Sequence, residues 1–197
     1  FCPTLIEPMP VLIDRIAVDP SWLALVGGTL ESSFEIEAAG GRLSGSIAPD
    51  DKGQSFKATL DALALQRFGL LRNKLGMHLV GQLGGEVELS FGEGMTLAGG
   101  HVALNLRNVV LCPKRMKMAN PNVPFFELPL TRMGNITGRI EVNGRRLEFK
   151  NFEGEGEDMS LAVQGNITLP TPQQPKTRYD LRINLRLAER DGRVLAL

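Results

Sequence analysis

Period-two alternation of apolar and polar side chains constrains this chain more than any other feature. In Glu86-Val87-Glu88-Leu89-Ser90-Phe91 every second residue is apolar, and His101-Val102-Ala103-Leu104-Asn105-Leu106-Arg107 alternates in the same way. So does Asp180-Leu181-Arg182-Ile183-Asn184-Leu185-Arg186-Leu187, and Phe34 and Ile36 alternate with Glu35 and Glu37. Met159, Leu161, Val163, Ile167 and Leu169 share one face across Gly165. Successive side chains of a strand point to opposite sides of a sheet, so a strand collects the apolar half of such a segment on one side. The 22 glycines and 12 prolines disfavour long helices and suit strands joined by turns. The expectation is an all-β fold. It is a long, coiled, mostly antiparallel sheet, as a curled half-barrel or groove or as a sandwich, built from repeated strand units with at most a short helix.

Asn143-Gly144, between Ile140-Glu141-Val142 and Arg145-Arg146-Leu147-Glu148-Phe149, reads as a tight hairpin with positive φ at both central residues. That register sets Ile140 opposite Leu147. Alternation is lost between Leu65 and Leu75, where Phe68, Leu71 and Leu75 fall at helical spacing, so a short helix or helical turn is expected there. The segment from Cys112 to Pro129 carries Pro113, Pro121, Pro124 and Pro129, which makes it an unlikely strand interior and a long excursion off the sheet. Pro170 to Thr177 reads as an exposed, extended link between two strands.

The chain also repeats itself. Gly81-Gln82-Leu83-Gly84-Gly85-Glu86-Val87-Glu88-Leu89 returns as Gly134-Asn135-Ile136-Thr137-Gly138-Arg139-Ile140-Glu141-Val142, and in part as Gly41-Arg42-Leu43-Ser44-Gly45-Ser46-Ile47. Each copy is a strand whose apolar residues share a face with two glycines, which lets the sheet bend or a neighbour approach closely. A coiled sheet with one apolar face can fold over into a sandwich, close into a barrel or stay open as a groove. The whole of residues 1–197 reads as one domain, with repeat-like units at about 33–75, 76–127 and 128–190.

Composition narrows the function classes. Lys+Arg and Asp+Glu balance at 22 each, so the basic excess that meets nucleic-acid phosphates is missing, and no nucleic-acid partner is expected. No apolar run is long enough to cross a bilayer as a helix, and the chain opens at Phe1-Cys2-Pro3, from which an upstream signal or membrane anchor is expected to be missing. Cys2 and Cys112, each followed by proline, can close a disulfide in an oxidising compartment or stand as two reduced thiols.

The repeat residues carry a resemblance. The run Leu79–Leu89, followed by Leu97-Ala98-Gly99-Gly100-His101-Val102-Ala103-Leu104-Asn105-Leu106, resembles the AsmA-like proteins of the Gram-negative envelope. The C-terminal half is closer to type II secretion system protein N of deltaproteobacteria and related groups. That likeness rests on Leu128-Pro129-Leu130, Met133-Gly134-Asn135-Ile136-Thr137-Gly138-Arg139-Ile140, Asn143-Gly144-Arg145-Arg146-Leu147, Gly156-Glu157-Asp158 and Gly165-Asn166-Ile167-Thr168-Leu169. The resemblance spans roughly residues 40–190. It implies a periplasmic β domain attached to the bacterial inner membrane. Its partners would be other secretion-system proteins of the envelope or, in the AsmA-like case, phospholipid. It implies no catalytic residue, cofactor or metal.

Candidate residues follow. Val87, Leu89, Leu104, Leu106, Ile140 and Leu185 are candidates to line an apolar groove. Lys114, Arg115 and Lys117, with Phe125 and Phe126, are candidates for partner or membrane contact. His78 and His101 sit beside strand patterns on the expected polar face, which favours surface histidines over catalytic ones. A thiol dyad of Cys112 with a histidine has no local signature behind it. Glu153-Gly154-Glu155-Gly156-Glu157-Asp158 lacks the spacing of a calcium loop and reads as a solvated turn.

Overall fold

The computed structural model describes residues 13–20, 31–50, 53–68, 78–117, 125–171 and 174–188, with the backbone alone for 114–117 and 125–128. The strands are β1 (Ile13–Pro20), β2 (Ser32–Ala38), β3 (Gly41–Asp50), β4 (Gly53–Ala64), β5 (Leu79–Phe91), β6 (Leu97–Leu111), β7 (Lys114–Lys117), β8 (Phe125–Leu128), β9 (Thr131–Asn143), β10 (Arg146–Glu155), β11 (Met159–Thr168) and β12 (Arg178–Leu187). Ten of them form one sheet in the order β1-β2-β3-β4-β5-β6-β9-β10-β11-β12, and β7 and β8 pair with each other. Every pairing is antiparallel. The two ends of the large sheet, β1 and β12, are not paired with each other, so it is an open sheet rather than a barrel. Among the described residues no second large sheet lies over it, so the sandwich alternative is not what forms.

The strand-to-strand register turns the period-two pattern into two faces. Directly opposed residues point to the same side of a sheet. One row crosses all ten strands as Val18, Phe34, Gly45, Ala58, Val87, Val102, Ile140, Phe149, Gly165 and Leu181, entirely apolar or glycine. The adjacent row, on the other side, runs Asp19, Ser33, Ser46, Lys57, Glu88, His101, Glu141, Glu148, Asn166 and Asp180.

Three bulges carry the apolar face past breaks in the alternation. Register shifts separate Leu60 from Leu63 in β4, Leu106 from Val109 in β6 and Phe149 from Phe152 in β10. Within each, one residue takes a left-handed φ: Ala62 at 51°, Asn108 at 51° and Asn151 at 50°. The extra residue reverses parity, so Leu63, Val109 and Phe152 return to the apolar side, and a bulge also bends and twists its strand. The Asn108 bulge is held from β9, where the Asn135 side-chain oxygen accepts a hydrogen bond from the Asn108 amide at 3.0 Å. Beyond the bulges lies the tightest packing. Val109, Leu65 and Ile136 are 1%, 3% and 4% exposed, with Leu79, Leu83, Leu106, Met133, Phe152 and Leu161 against them.

Four sequence expectations need correction or completion. The hairpin between β9 and β10 turns at Gly144-Arg145, not at Asn143-Gly144. Asn143 pairs with Arg146, Val142 with Leu147, and Ile140 with Phe149. Gly144 alone supplies the positive φ, at 53°. Tertiary contacts decide this register: Val142 is buried, and the Arg145 guanidinium donates to the Leu169 carbonyl while the Leu169 amide donates back to Arg145 at 2.9 Å. The Cys112–Pro129 excursion does leave the sheet, yet it contains two short strands. Pro113 and Pro129 bound the β7–β8 ribbon instead of interrupting it. The link after β11 is not fully extended, since Thr171 and Gln174 exchange backbone hydrogen bonds of 2.9 and 3.1 Å. Of the helical expectation, Leu65–Arg67 forms a single 3₁₀ turn, and residues 69–77 lie outside the described residues.

Candidate functional site

The repeat acquires a physical meaning in the sheet. Its two full copies lie in β5 and β9, on either side of β6, in matching register. Gly85 and Gly138 both face Leu104, Val87 and Ile140 both face Val102, and Glu88 and Glu141 both face His101. The partial copy in β3 is staggered by one same-face step, so that Gly45 shares a row with Val87. In two copies the second glycine is a slot for a neighbouring ring. A Cβ on Gly138 would come within 2.0 Å of the Phe152 ring, and one on Gly45 within 2.7 Å of the Phe34 ring. Phe34 in turn stacks on Phe56 at 5.7 Å between centroids, from strands on opposite sides of β3.

The six groove candidates fall on one face. Val87, Leu89, Leu104, Leu106 and Ile140 are half-buried on β5, β6 and β9, and Leu185 lies on the same side of β12 through its pairing with Leu161. Burial falls off toward both edges. Val18 on β1 is 61% exposed, and Leu185 on β12 is 57% exposed. The chain exposes 13915 Å² in all, against about 9,200 Å² for a compact monomer of 21.5 kDa. A sheet open on its apolar side contributes to the excess, since among the described residues no second large sheet covers it.

The opposite face is a lattice of exposed ion pairs. Arg42 lies 3.4 Å from Glu35 and 3.6 Å from Glu37, and Lys57 lies 3.4 Å from Glu88. His101 Nδ1 is 3.8 Å from Glu88. Arg139 holds Glu141 at 2.6 Å, and this hydrogen bond is the main reason the Glu141 carboxyl titrates below its ordinary range. The charges of Arg139, Lys150 and His101 act in the same direction, while partial burial opposes them. A depressed carboxylate contributes stability above its unfolded pKa and loses it as the pH falls through the folded one. Glu141→Gln is therefore expected to be less stable than the parent at neutral pH. The gap should close as the pH drops through about 4 and below, as read by urea unfolding at each pH.

An open trough of about 920 Å³ runs across β9 to β12, lined by Thr137, Glu153, Asn184 and Arg186 from the polar face and by Leu161 and Leu185 from the apolar one. No group of three metal-ligating side chains occurs among the described residues. The acidic run 153–158 ends in a turn anchored to β9. There Arg132 pairs with Glu157 at 2.6 Å, and its amide donates to Asp158 at 2.8 Å. His78 precedes β5, and its carbonyl accepts from the Cys112 amide at 2.9 Å. Cys112 is buried and disulfide-bonded, which removes it as a thiol nucleophile. Cys2 lies outside the described residues.

Lys114, Arg115 and Lys117 lie on β7, paired with Leu128, Glu127 and Phe125, and Phe126 pairs with Met116. Both contact clusters therefore occupy one ribbon between β6 and β9. Sequence reading missed the triplet Glu88–His101–Glu141, although the repeated glutamate was its signal. It also missed the bulges, whose signal is an apolar pair three apart: Leu60/Leu63, Leu106/Val109 and Phe149/Phe152. Among the described residues no helix is long and apolar enough to cross a membrane.

No family model matches the chain, and no curated protein or solved structure is significantly similar to it.

Proposed function

We propose that this is a non-enzymatic domain of the bacterial envelope that holds phospholipid acyl chains against its apolar sheet face, in the manner the AsmA-like resemblance implies. The observation that carries the reading is the uninterrupted apolar row across ten strands in a sheet that does not close. Exposed apolar area on that scale is costly in water and favours an apolar occupant. The bulges in β4, β6 and β10 support it, since they curl a sheet that would otherwise be flatter. Its place is the periplasm, attached to the inner membrane.

A second reading, a scaffold within the type II secretion apparatus as protein N, is favoured by different features. The sheet has two edges, and the β7–β8 ribbon leaves it with basic residues on one strand and aromatics on the other.

Native mass spectrometry of the purified domain, incubated with vesicles of phosphatidylethanolamine and phosphatidylglycerol, separates the two. Stoichiometric bound phospholipid is expected, with a several-fold loss in Leu104→Glu, because Leu104 sits between the two repeat glycines at the centre of the face. A clean apo mass for a protein that circular dichroism shows to be folded would sink the lipid reading and leave the scaffold.

A further inference from the structure

We infer that β12 is a self-association edge, through which two copies of this chain join into one continuous sheet about a two-fold axis at Ile183. Strand β12 has the features that a protected edge lacks. It is ten residues long, pairs with β11 without a bulge and contains no proline. Among the described residues nothing pairs with its outer side. The other edge is blunted, since β1 carries a register shift after Ile13 and ends at Pro20. Ile183 on β12 is 56% exposed, Tyr179, Leu185 and Leu187 are similarly open, and Leu181 is half-buried.

Among the described residues the arginines of β12 have no ion-pair counterpart. Arg178, Arg182 and Arg186 face Thr168, Gln164 and Ser160 on β11, and among the described residues none of the three is in an ion pair. Arg186 gains one in a second β12 laid antiparallel. With Ile183 opposite Ile183 of the second copy, Leu181 meets Leu185, and Tyr179 meets Leu187. On the other face Asp180 meets Arg186 twice, and Arg182 meets Asn184 twice. No like charges stand opposite each other, and the strand is used from Tyr179 to Leu187. Opposite-charge and aliphatic cross-strand pairs are the stabilising units of a sheet, and a self-complementary strip is what a two-fold interface requires. A two-fold axis normal to the sheet keeps both apolar faces on the same side, so the dimer doubles that face.

The test is charge reversal read by analytical ultracentrifugation of the full chain up to about 100 µM. The parent is expected to dimerise reversibly. Asp180→Arg and Arg186→Asp, each of which sets like charges opposite each other, should weaken the dimer at least tenfold. The double variant Asp180→Arg/Arg186→Asp should recover it, and an equimolar mixture of the two single variants should form the heterodimer. Both positions lie on an exposed edge, so the variants keep the parent's circular dichroism. A parent that stays monomeric, or a dimer unaffected by the single reversals, would overturn the inference whichever way the lipid experiment falls.

Discussion

Val109→Asp gives a chain that does not fold cooperatively: thermal and urea unfolding lose their transition, and amide exchange loses its slowest class. Val109 is 1% exposed and lies at the centre of the cluster with Leu65 and Ile136. A carboxylate there has no cation among the cluster residues and no water, and an unpaired buried charge costs about 3–5 kcal/mol or more. A domain of this kind has roughly 5–15 kcal/mol in total, so that cost is a large share of the whole. Val109 is also the residue that the Asn108 bulge turns inward, so the substitution attacks the packing that rewards the bulge. Leu185→Asp is the control. It lies on the same face, but at the exposed edge, where the carboxylate keeps its water; its cost should stay near or below about 1 kcal/mol. Equal damage from the two would mean that the apolar face is uniformly buried, contrary to the gradient described.

Gly138→Ala is the second large effect, expected to cost about 1–3 kcal/mol, a drop of roughly 2–4 °C in Tm per kcal/mol for a chain of this size. Gly138 has no unusual φ among the described backbone, so the cause is steric: the new Cβ would lie 2.0 Å from the Phe152 ring, well inside the contact distance of about 3.5–4 Å. Trimming the ring should therefore couple to the substitution. In a double-mutant cycle with Phe152→Ala, the pair should be less destabilised than the sum of the singles by at least about 0.5 kcal/mol. Gly84→Ala, on the other face, meets only carbonyl oxygens at 3.5 and 3.6 Å and should be nearly neutral. Additive behaviour of Gly138 and Phe152 would show that the repeat glycine is not a ring slot.

These two positions show which parts of the protein can be read from the chain. The strands β5, β6, β11 and β12 are legible because alternation is local. A residue and its second neighbour share a side of any strand, whatever that strand pairs with. The repeat is legible for the same reason, and with it the prediction that glycines sit among the apolar residues. The six groove candidates fall on one face because parity within each strand, joined by antiparallel pairing, leaves them little alternative.

What tertiary structure decided is everything that depends on a partner distant in sequence. The hairpin after β9 is one step off the turn that Asn143-Gly144 suggests, because burial of Val142 and the clasp between Arg145 and Leu169 outweigh local turn preference. Gly138 accepts Phe152, and Glu88 and Glu141 flank His101, only because β6 lies between the repeat copies and the bulge of β10 falls opposite Gly138. Whether the sheet closes is likewise a sum over all its strands: twist and three bulges bend it, and no local pattern specifies that β1 and β12 fail to meet. The sequence by itself determined which side of each strand is apolar. Only the pairing of the strands decided that those sides join into one open face.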